Sequence, residues 1–348
     1  RPSPRSKPTP PTKTGLSADH SPILEQGGPP QRCGRRKVIH MAVTAQQVKE
    51  LRELTGVGMM DCKKALAETD GNIESAVDWL RTRGLAKAAK KAGRVAAEGL
   101  VGVAIDGNRG AIVEVNSETD FVGRNEQFQG IVGNVSKLAL DASGDVGKLS
   151  EMPYPGTGRS VSAEITDAIA TIGENMNLRR TSSIVVSDGV IGNYVHNSVK
   201  TGMGKLGVIV GLESTGDKAV LAGLGKQIAM HIANTNPLSV SPDDIDPAIV
   251  ERERAIFTEQ ANESGKPAEV VAKMVEGRVR KFFEESTLLA QVFVIDGENK
   301  VGDVVKKAEK DAGAPIKVTG FVRYALGEGI EKQETDFAAE VAAAAGVK

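Results

Sequence analysis

Aromatic side chains make up only 3% of this 348-residue chain, which carries 1 Trp, 2 Cys and 4 His. Each scarcity excludes something. So few rings argue against a surface that stacks the bases of single-stranded nucleic acid. Cys33 and Cys62 lack metal-ligand spacing, so neither a disulfide framework nor a zinc site is expected, and a reducing cytosol fits. His20, His40, His196 and His231 have no companions in the spacing of a metal centre or a catalytic triad. No apolar run approaches the roughly 20 residues that span a bilayer, so a soluble, cytoplasmic protein is expected. An excess of one charge is missing too: 44 Lys and Arg against 45 Asp and Glu leave a net −1, so no global field draws in nucleic acid.

Phosphate motifs fare no better. Gly202-Met203-Gly204-Lys205-Leu206-Gly207 matches G-x-G-x-x-G, but strand-like Val208 to Leu212 follows where a dinucleotide fold needs a helix, so the glycines read as a hairpin loop. No G-x-x-x-x-G-K-[ST] loop occurs. Neither an enzyme nor a cofactor or metal site is visible.

What the chain does have is a 40% hydrophobic content over a length that allows two or three domains. Residues 1–40 hold 8 prolines and 8 Lys and Arg against 2 acidic residues, a composition that does not offset the entropy of ordering and reads as a disordered extension. Met41-Ala42 looks like a natural start. A small three-helix domain is expected over 41–83: Thr44 and Gln47 make a capping box, Val48, Leu51 and Leu54 follow at helical spacing, a second helix takes Met59 to Glu68, and Ile73, Ala76, Val77 and Leu80 mark a third. Met59 and Met60 are adjacent and cannot both face one core, so at least one is expected at the surface. Residues 84–99 read as a charged helical linker.

The centre of the chain is Gly110 to Val122, GAIVEVNSETDFV, in which a strand exits through polar turn residues onto Asp120 and Phe121. The pattern recurs at Gly207 to Asp217, GVIVGLESTGD. Each copy follows a hairpin partner, Leu100 to Ile105 or Ile191 to His196, and precedes a helix, Asn125 to Leu140 or Lys218 to Asn234. A duplicated hairpin-plus-helix unit implies two related α+β subdomains, over 100–150 and 151–240. The second copy has Lys218 where the first has Phe121. That difference keeps two readings of Phe121 open, a core ring or a wedge for a partner.

Asp141 to Gly158 reads as a surface connection, followed by a helix over Ser162 to Ile172 and a strand through Val186. Asp246-Pro247 starts an antiparallel helical hairpin within 241–290, turning at Ser264 to Pro267. The end of the core and a C-terminal module fill 291–348, with strands at Val292 to Ile295 and Ile316 to Tyr324 and an alanine-rich helix from Glu328 to Ala345.

Three stretches, TGVGMMDCKKAL at Thr55 to Leu66, TDFV at Thr119 to Val122, and VTGFVRYALGEGIEKQETDFAAEV at Val318 to Val341, closely resemble bacterial elongation factor Ts. The resemblance covers nearly everything from Met41 to Lys348. It implies an α+β fold with a ubiquitin-associated-like three-helix N-terminal domain, a core of two similar subdomains, an inserted coiled-coil hairpin and a C-terminal helical module. It also implies a function, guanine nucleotide exchange on the translational GTPase elongation factor Tu, with no membrane and no direct nucleic acid as partner. Carried over, Thr119, Asp120, Phe121 and Val122 are the segment that dislodges magnesium from that GTPase. By the same resemblance Arg52, Met59 and Met60 contact its nucleotide-binding domain, and Ile172, Gly173 and His196 make further contacts from the core.

Overall fold

In the computed structural model, which describes residues 43–55 and 57–331, the first helix starts at the capping box. The Thr44 hydroxyl accepts the Gln47 N–H at 3.2 Å and the Gln47 side chain accepts the Thr44 N–H at 3.0 Å, so donors without an intrahelical partner are satisfied reciprocally. α1 (Ala45–Thr55), α2 (Met59–Glu68) and α3 (Ile73–Lys91) then close over Leu51, Cys62, Ala65, Leu66, Ala76 and Leu80. Leu54, expected in that core, is instead 65% exposed. Thr55 takes the inward place on the last turn, turning its hydroxyl back to the Leu51 carbonyl at 2.6 Å and toward Cys62 Sγ.

The body alternates antiparallel strands with helices. β1 (Glu98–Asp106) and β2 (Arg109–Ser117) form a hairpin, followed by α4 (Glu126–Ala142), α5 (Val146–Glu151) and α6 (Val161–Ile172). β3 (Met176–Val185), β4 (Gly189–His196), β5 (Met203–Gly204) and β6 (Leu206–Glu213) lead into α7 (Lys218–Thr235). The pair α8 (Pro247–Asn262) and α9 (Ala268–Ser286), then α10 (Val301–Ala312) and β7 (Lys317–Ala325), complete the described chain. Two sheets result, ordered β3-β2-β1-β5 and β4-β6-β7. Mixed helix and antiparallel sheet is the α+β class.

Side-chain alternation stacks these sheets. Along β2, Ala111, Val113 and Val115 join the core under α4, α5 and α6, whereas Ile112 faces the other way, into a cluster with Val101, Ile191, Ile209 and Tyr324. Along β6, Val208, Val210 and Leu212 join the core under α7 and α10, and Ile209 faces the sheet interface. Both strands are therefore covered on both faces. The repeated glycines sit at that interface. A Cβ at Gly110 would come within 2.6 Å of Ile191 Cγ2, and one at Gly207 within 2.8 Å of Val101 Cγ1.

The duplicated units are β1-β2-α4 and β4-β6-α7, but the sheets do not divide at residue 150. β3 and β5, placed by sequence in the second subdomain, pair with the first sheet. The glycine run at 202–207 is accordingly more than a loop, because Met203–Gly204 crosses to β1 before β6 begins. Of residues 84–99, expected as a charged helical linker, 84–91 are helical but belong to α3, and 92–97 connect it to β1. α3 runs through the boundary drawn at residue 83, and Gly84 brings it so close to α6 that a Cβ there would lie 3.1 Å from Ala170 Cβ. Residues 141–158, expected as a surface connection, hold α5, capped by Asp145, with Leu149 fully buried and Tyr154 nearly so.

α8 and α9, of 16 and 19 residues, pack on each other through Val250, Phe257, Ala261, Val271, Val275 and Val279. Asp246 caps α8 with Pro247 in its first turn. Because the pair has its own core, replacing Asp246 to Ser286 by a short linker should leave the remainder unfolding in one sharp thermal transition. A broad, non-cooperative melt would show instead that the pair is integral to the body.

Val292 to Ile295 is not a strand. Phe293 is buried beside the ring of His231, while Val292, Val294 and Ile295 stay exposed. Buried His231 holds the segment from α7: its Nε2 meets Gln291 Oε1 at 2.8 Å and its Nδ1 accepts the Val294 N–H at 3.3 Å. Burial pushes that imidazole below its usual pKa. Of the helix expected from Glu328 to Ala345, residues 328–331 form a turn and irregular chain instead of helix, and the remainder from Lys332, like the 1–40 extension, lies outside the described residues.

Candidate partner-binding site

The loop between β2 and α4 is held at both ends and projects between them. At its start the Ser117 hydroxyl donates to the Thr119 carbonyl at 2.9 Å. Thr119 is then gripped by Glu174, whose carboxylate accepts the Thr119 N–H at 2.9 Å and its hydroxyl at 2.7 Å. Glu118 reaches the opposite way, accepting the Asn175 N–H at 2.6 Å and pairing with Arg94 at 3.3 Å. At the far end Val122 is 4% exposed within the main core, and a single 3-10 turn, Val122–Arg124, passes to Asn125, the N-cap of α4. Between these anchors stand Asp120, exposed, and Phe121, with 73% of its surface in solvent. Phe121 is the one aromatic ring among the exposed large hydrophobic residues of the described chain, which makes this loop the candidate site.

The two copies enter their helices differently, so the alignment of Phe121 with Lys218 does not hold in the structure. In the second copy Asp217 caps α7 directly, accepting the N–H groups of Ala219 and Val220, and Lys218 is the first helical residue. In the first copy the cap has passed to Asn125, and the 3-10 turn intervenes. Phe121 and Lys218 are therefore not structural equivalents. Asp120 is released from capping, and its carboxylate makes no hydrogen bond to another described residue.

The other expected residues fall into three places. Ile172 is half-buried at the end of α6, and Gly173 is its C-cap at φ +93°, a left-handed conformation that disfavours any residue with a Cβ. Lys91, at the end of α3, donates to the Gly173 carbonyl, a cation at a helix C-terminus. These two residues are thus joined to the Thr119 loop through neighbouring Glu174 and Asn175. Arg52, Met59 and Met60 lie on the N-terminal helices, all exposed, with Met59 at 60% and Met60 at 77%. His196 stands apart, exposed at the end of β4, with Nδ1 3.0 Å from the Tyr194 hydroxyl. Among the described residues no group of three or more His, Cys, Asp or Glu is placed to hold a metal ion, and no helix is long and apolar enough to cross a membrane.

A family model described as Elongation factor TS matches residues 118–328, most of the chain and the whole of the braced loop. The chain is 61% identical over 303 residues to Elongation factor Ts of Parvibaculum lavamentivorans, covering 87% of this chain and 98% of that protein. It is 59% identical over 302 residues to Elongation factor Ts of Rhizobium etli, with 87% and 98% covered, and 59% identical over 305 residues to that of Rhizobium meliloti, with 88% and 99% covered.

The chain belongs to the elongation factor Ts family.

Membership places it among translation elongation factors. The family model begins at Glu118, the first of the two carboxylates that brace the loop, and ends at Glu328, where the last described turn meets Arg179 and Arg180. Sequence reasoning missed Glu118, Glu174 and Leu54. Glu118 and Glu174 are separated by a helix bundle in the chain and carry no local pattern that pairs them. Leu54, like Met59 and Met60, is exposed, and the signal that could have found it is its position on the last turn of α1.

Proposed function

We propose that this elongation factor Ts family member is a guanine nucleotide exchange factor: it binds elongation factor Tu carrying GDP, dislodges magnesium and promotes GDP release so that GTP can bind. The observation that carries this reading is Phe121, an aromatic ring displayed to solvent on a loop whose flanks are fixed. Such a factor makes and breaks no covalent bond and takes no cofactor. It binds the nucleotide-free GTPase more tightly than the nucleotide-bound one, and linkage makes the weakening reciprocal. Magnesium neutralises phosphate charge, so disturbing its ligands removes much of the nucleotide's affinity.

In this reading Phe121 enters an apolar pocket on the GTPase while Asp120, free of any capping duty, hydrogen-bonds beside it. Thr119 and Val122 hold the pair in place from either side. Arg52, Met59 and Met60 grip the nucleotide-binding domain, and Ile172, Gly173 and His196 supply contacts from the core. The small lever then acts through a broad attachment, as hot spots do within larger interfaces. The site of action is the cytoplasm, where translation proceeds. Release of labelled GDP from Tu, followed with and without the chain, tests the proposal. Acceleration at substoichiometric chain is expected; stable binding without acceleration would make the chain a stabilising subunit instead.

A further inference from the structure

Glu174 and Glu118 form a reciprocal clasp. Each carboxylate accepts a backbone N–H from the other's segment, Glu174 from Thr119 and Glu118 from Asn175. Glu174 adds the Thr119 hydroxyl, so that one residue is held through both its backbone and its side chain. The clasp is tied to the N-terminal helices as well. Arg94 pairs with Glu118 and its carbonyl accepts from the Asn175 side chain at 2.7 Å, while Lys91 caps the Gly173 carbonyl. On the other side of Asp120 and Phe121 the chain is fixed by buried Val122. Two exposed residues are thus suspended between a polar anchor and an apolar one.

Resting on the exchange reading above, we propose that Glu174 is a positioning residue for exchange, holding Thr119 so that Asp120 and Phe121 are displayed in one geometry before the GTPase arrives. A free loop would have to be ordered during the encounter, at the moment when binding free energy is needed to displace magnesium. A clasped loop has lost that freedom on folding, and preorganisation of this kind strengthens the productive contact without adding one. Misplacing such a group by about 1 Å is enough to cost up to roughly a hundredfold in rate. Ile172 and Gly173 adjoin Glu174, but Arg52, Met59 and Met60 on the N-terminal helices and His196 on β4 make no hydrogen bond to it, so most of the attachment outlives the loss of the lever's geometry.

The test uses full-length chains in the GDP-release assay, each checked for a cooperative melt. Glu174→Ala should lower the maximal release rate about tenfold or more, while the chain concentration giving half of that maximum moves by less than about threefold. Glu174→Gln, which keeps one acceptor oxygen, should fall between Glu174→Ala and the parent, and it decides the matter alone if the alanine variant does not fold. In a background carrying both Asp120→Ala and Phe121→Ala, Glu174→Ala should slow release no further, because its effect passes through those two residues. A merely structural brace would predict multiplied losses in that background, and that result, or parental release by Glu174→Ala alone, overturns the proposal. Failure of the parent chain itself to accelerate release would remove the exchange reading and this inference together, whereas a normal Glu174→Ala beside an active parent removes only this one.

Discussion

Phe121→Ala should leave the protein as stable as before and make it a poor exchanger. The ring is 73% exposed, so its truncation removes little buried area and should change the unfolding free energy by no more than about 0.5 kcal/mol. A ring packed in a core would cost roughly 3–5 kcal/mol on the same change. The backbone offers no second route to a stability effect, since Phe121 has φ −61° and ψ −36°, which alanine adopts freely. GDP release should nevertheless fall by about tenfold or more, the loss of at least 1.4 kcal/mol from the transition state. One urea titration and one release assay decide. A variant that is stable and exchanges like the parent would remove Phe121 from the mechanism.

The largest stability effect is expected at Glu114. This carboxylate lies on β2 with none of its side chain exposed and serves four donors: Arg180 Nε at 2.5 Å, Gly327 N–H at 2.8 Å, and Arg179 and Asn116 at 3.0 Å. Arg179 and Arg180 reach onward to the carbonyls of Glu328 and Ala325, and Arg180 lies 4.1 Å over the Tyr324 ring, so one acid fastens β2, β3 and the turn after β7. Glu114→Ala leaves two partly buried guanidinium groups without their anion and should cost about 3–5 kcal/mol, read as a lowered urea midpoint. A loss under about 1 kcal/mol would show that solvent or Glu328 replaces the carboxylate.

The same residue gives the protein an acid-sensitive component. Burial alone would raise the Glu114 pKa, but the hydrogen bonds from Gly327, Asn116, Arg180 and Arg179 together outweigh it and hold the carboxyl below its ordinary value. A carboxyl depressed in the folded state contributes stability that is present above the unfolded pKa and is lost as pH falls through the folded one. Glu114→Gln should therefore flatten the acid limb of a stability profile recorded below about pH 4.5. An unchanged limb would assign acid sensitivity to other carboxylates.

Much of this architecture is legible in the sequence because its signals are local. A capping box at Thr44, a proline after Asp246, and apolar stripes at helical spacing each act within a few residues, and the copies of the hairpin unit repeat their glycines and β-branched pairs. What escaped depends on contacts between distant segments. Gly84 and its charged neighbours look like a linker until α6 is there to be approached. β3 and β5 carry ordinary strand patterns that say nothing about which sheet accepts them. Phe121 was legible as either wedge or core ring, and only the clasp at Thr119 and the burial of Val122 show why it points outward. Glu118 and Glu174 are two acids in a chain with many, and their pairing exists only once the loops meet.

The helical pair also changes how the chain is made. β6 ends at Glu213 and its edge partner β7 begins at Lys317, with α7 to α10 between them. At about 5–20 residues per second, the ribosome takes roughly 5–20 s to deliver that final strand. β1 and β2 are adjacent and close their ladder almost at once, and α7 follows β6 immediately and can cover one face. The β6 edge has no such neighbour in the chain. Until Lys317 to Ala325 emerges it presents unpaired N–H and C=O groups on an apolar strand, the condition under which one nascent chain pairs with another. The insertion that gives the protein its helical arm thus lengthens the stage of synthesis at which it most needs to be kept from its neighbours.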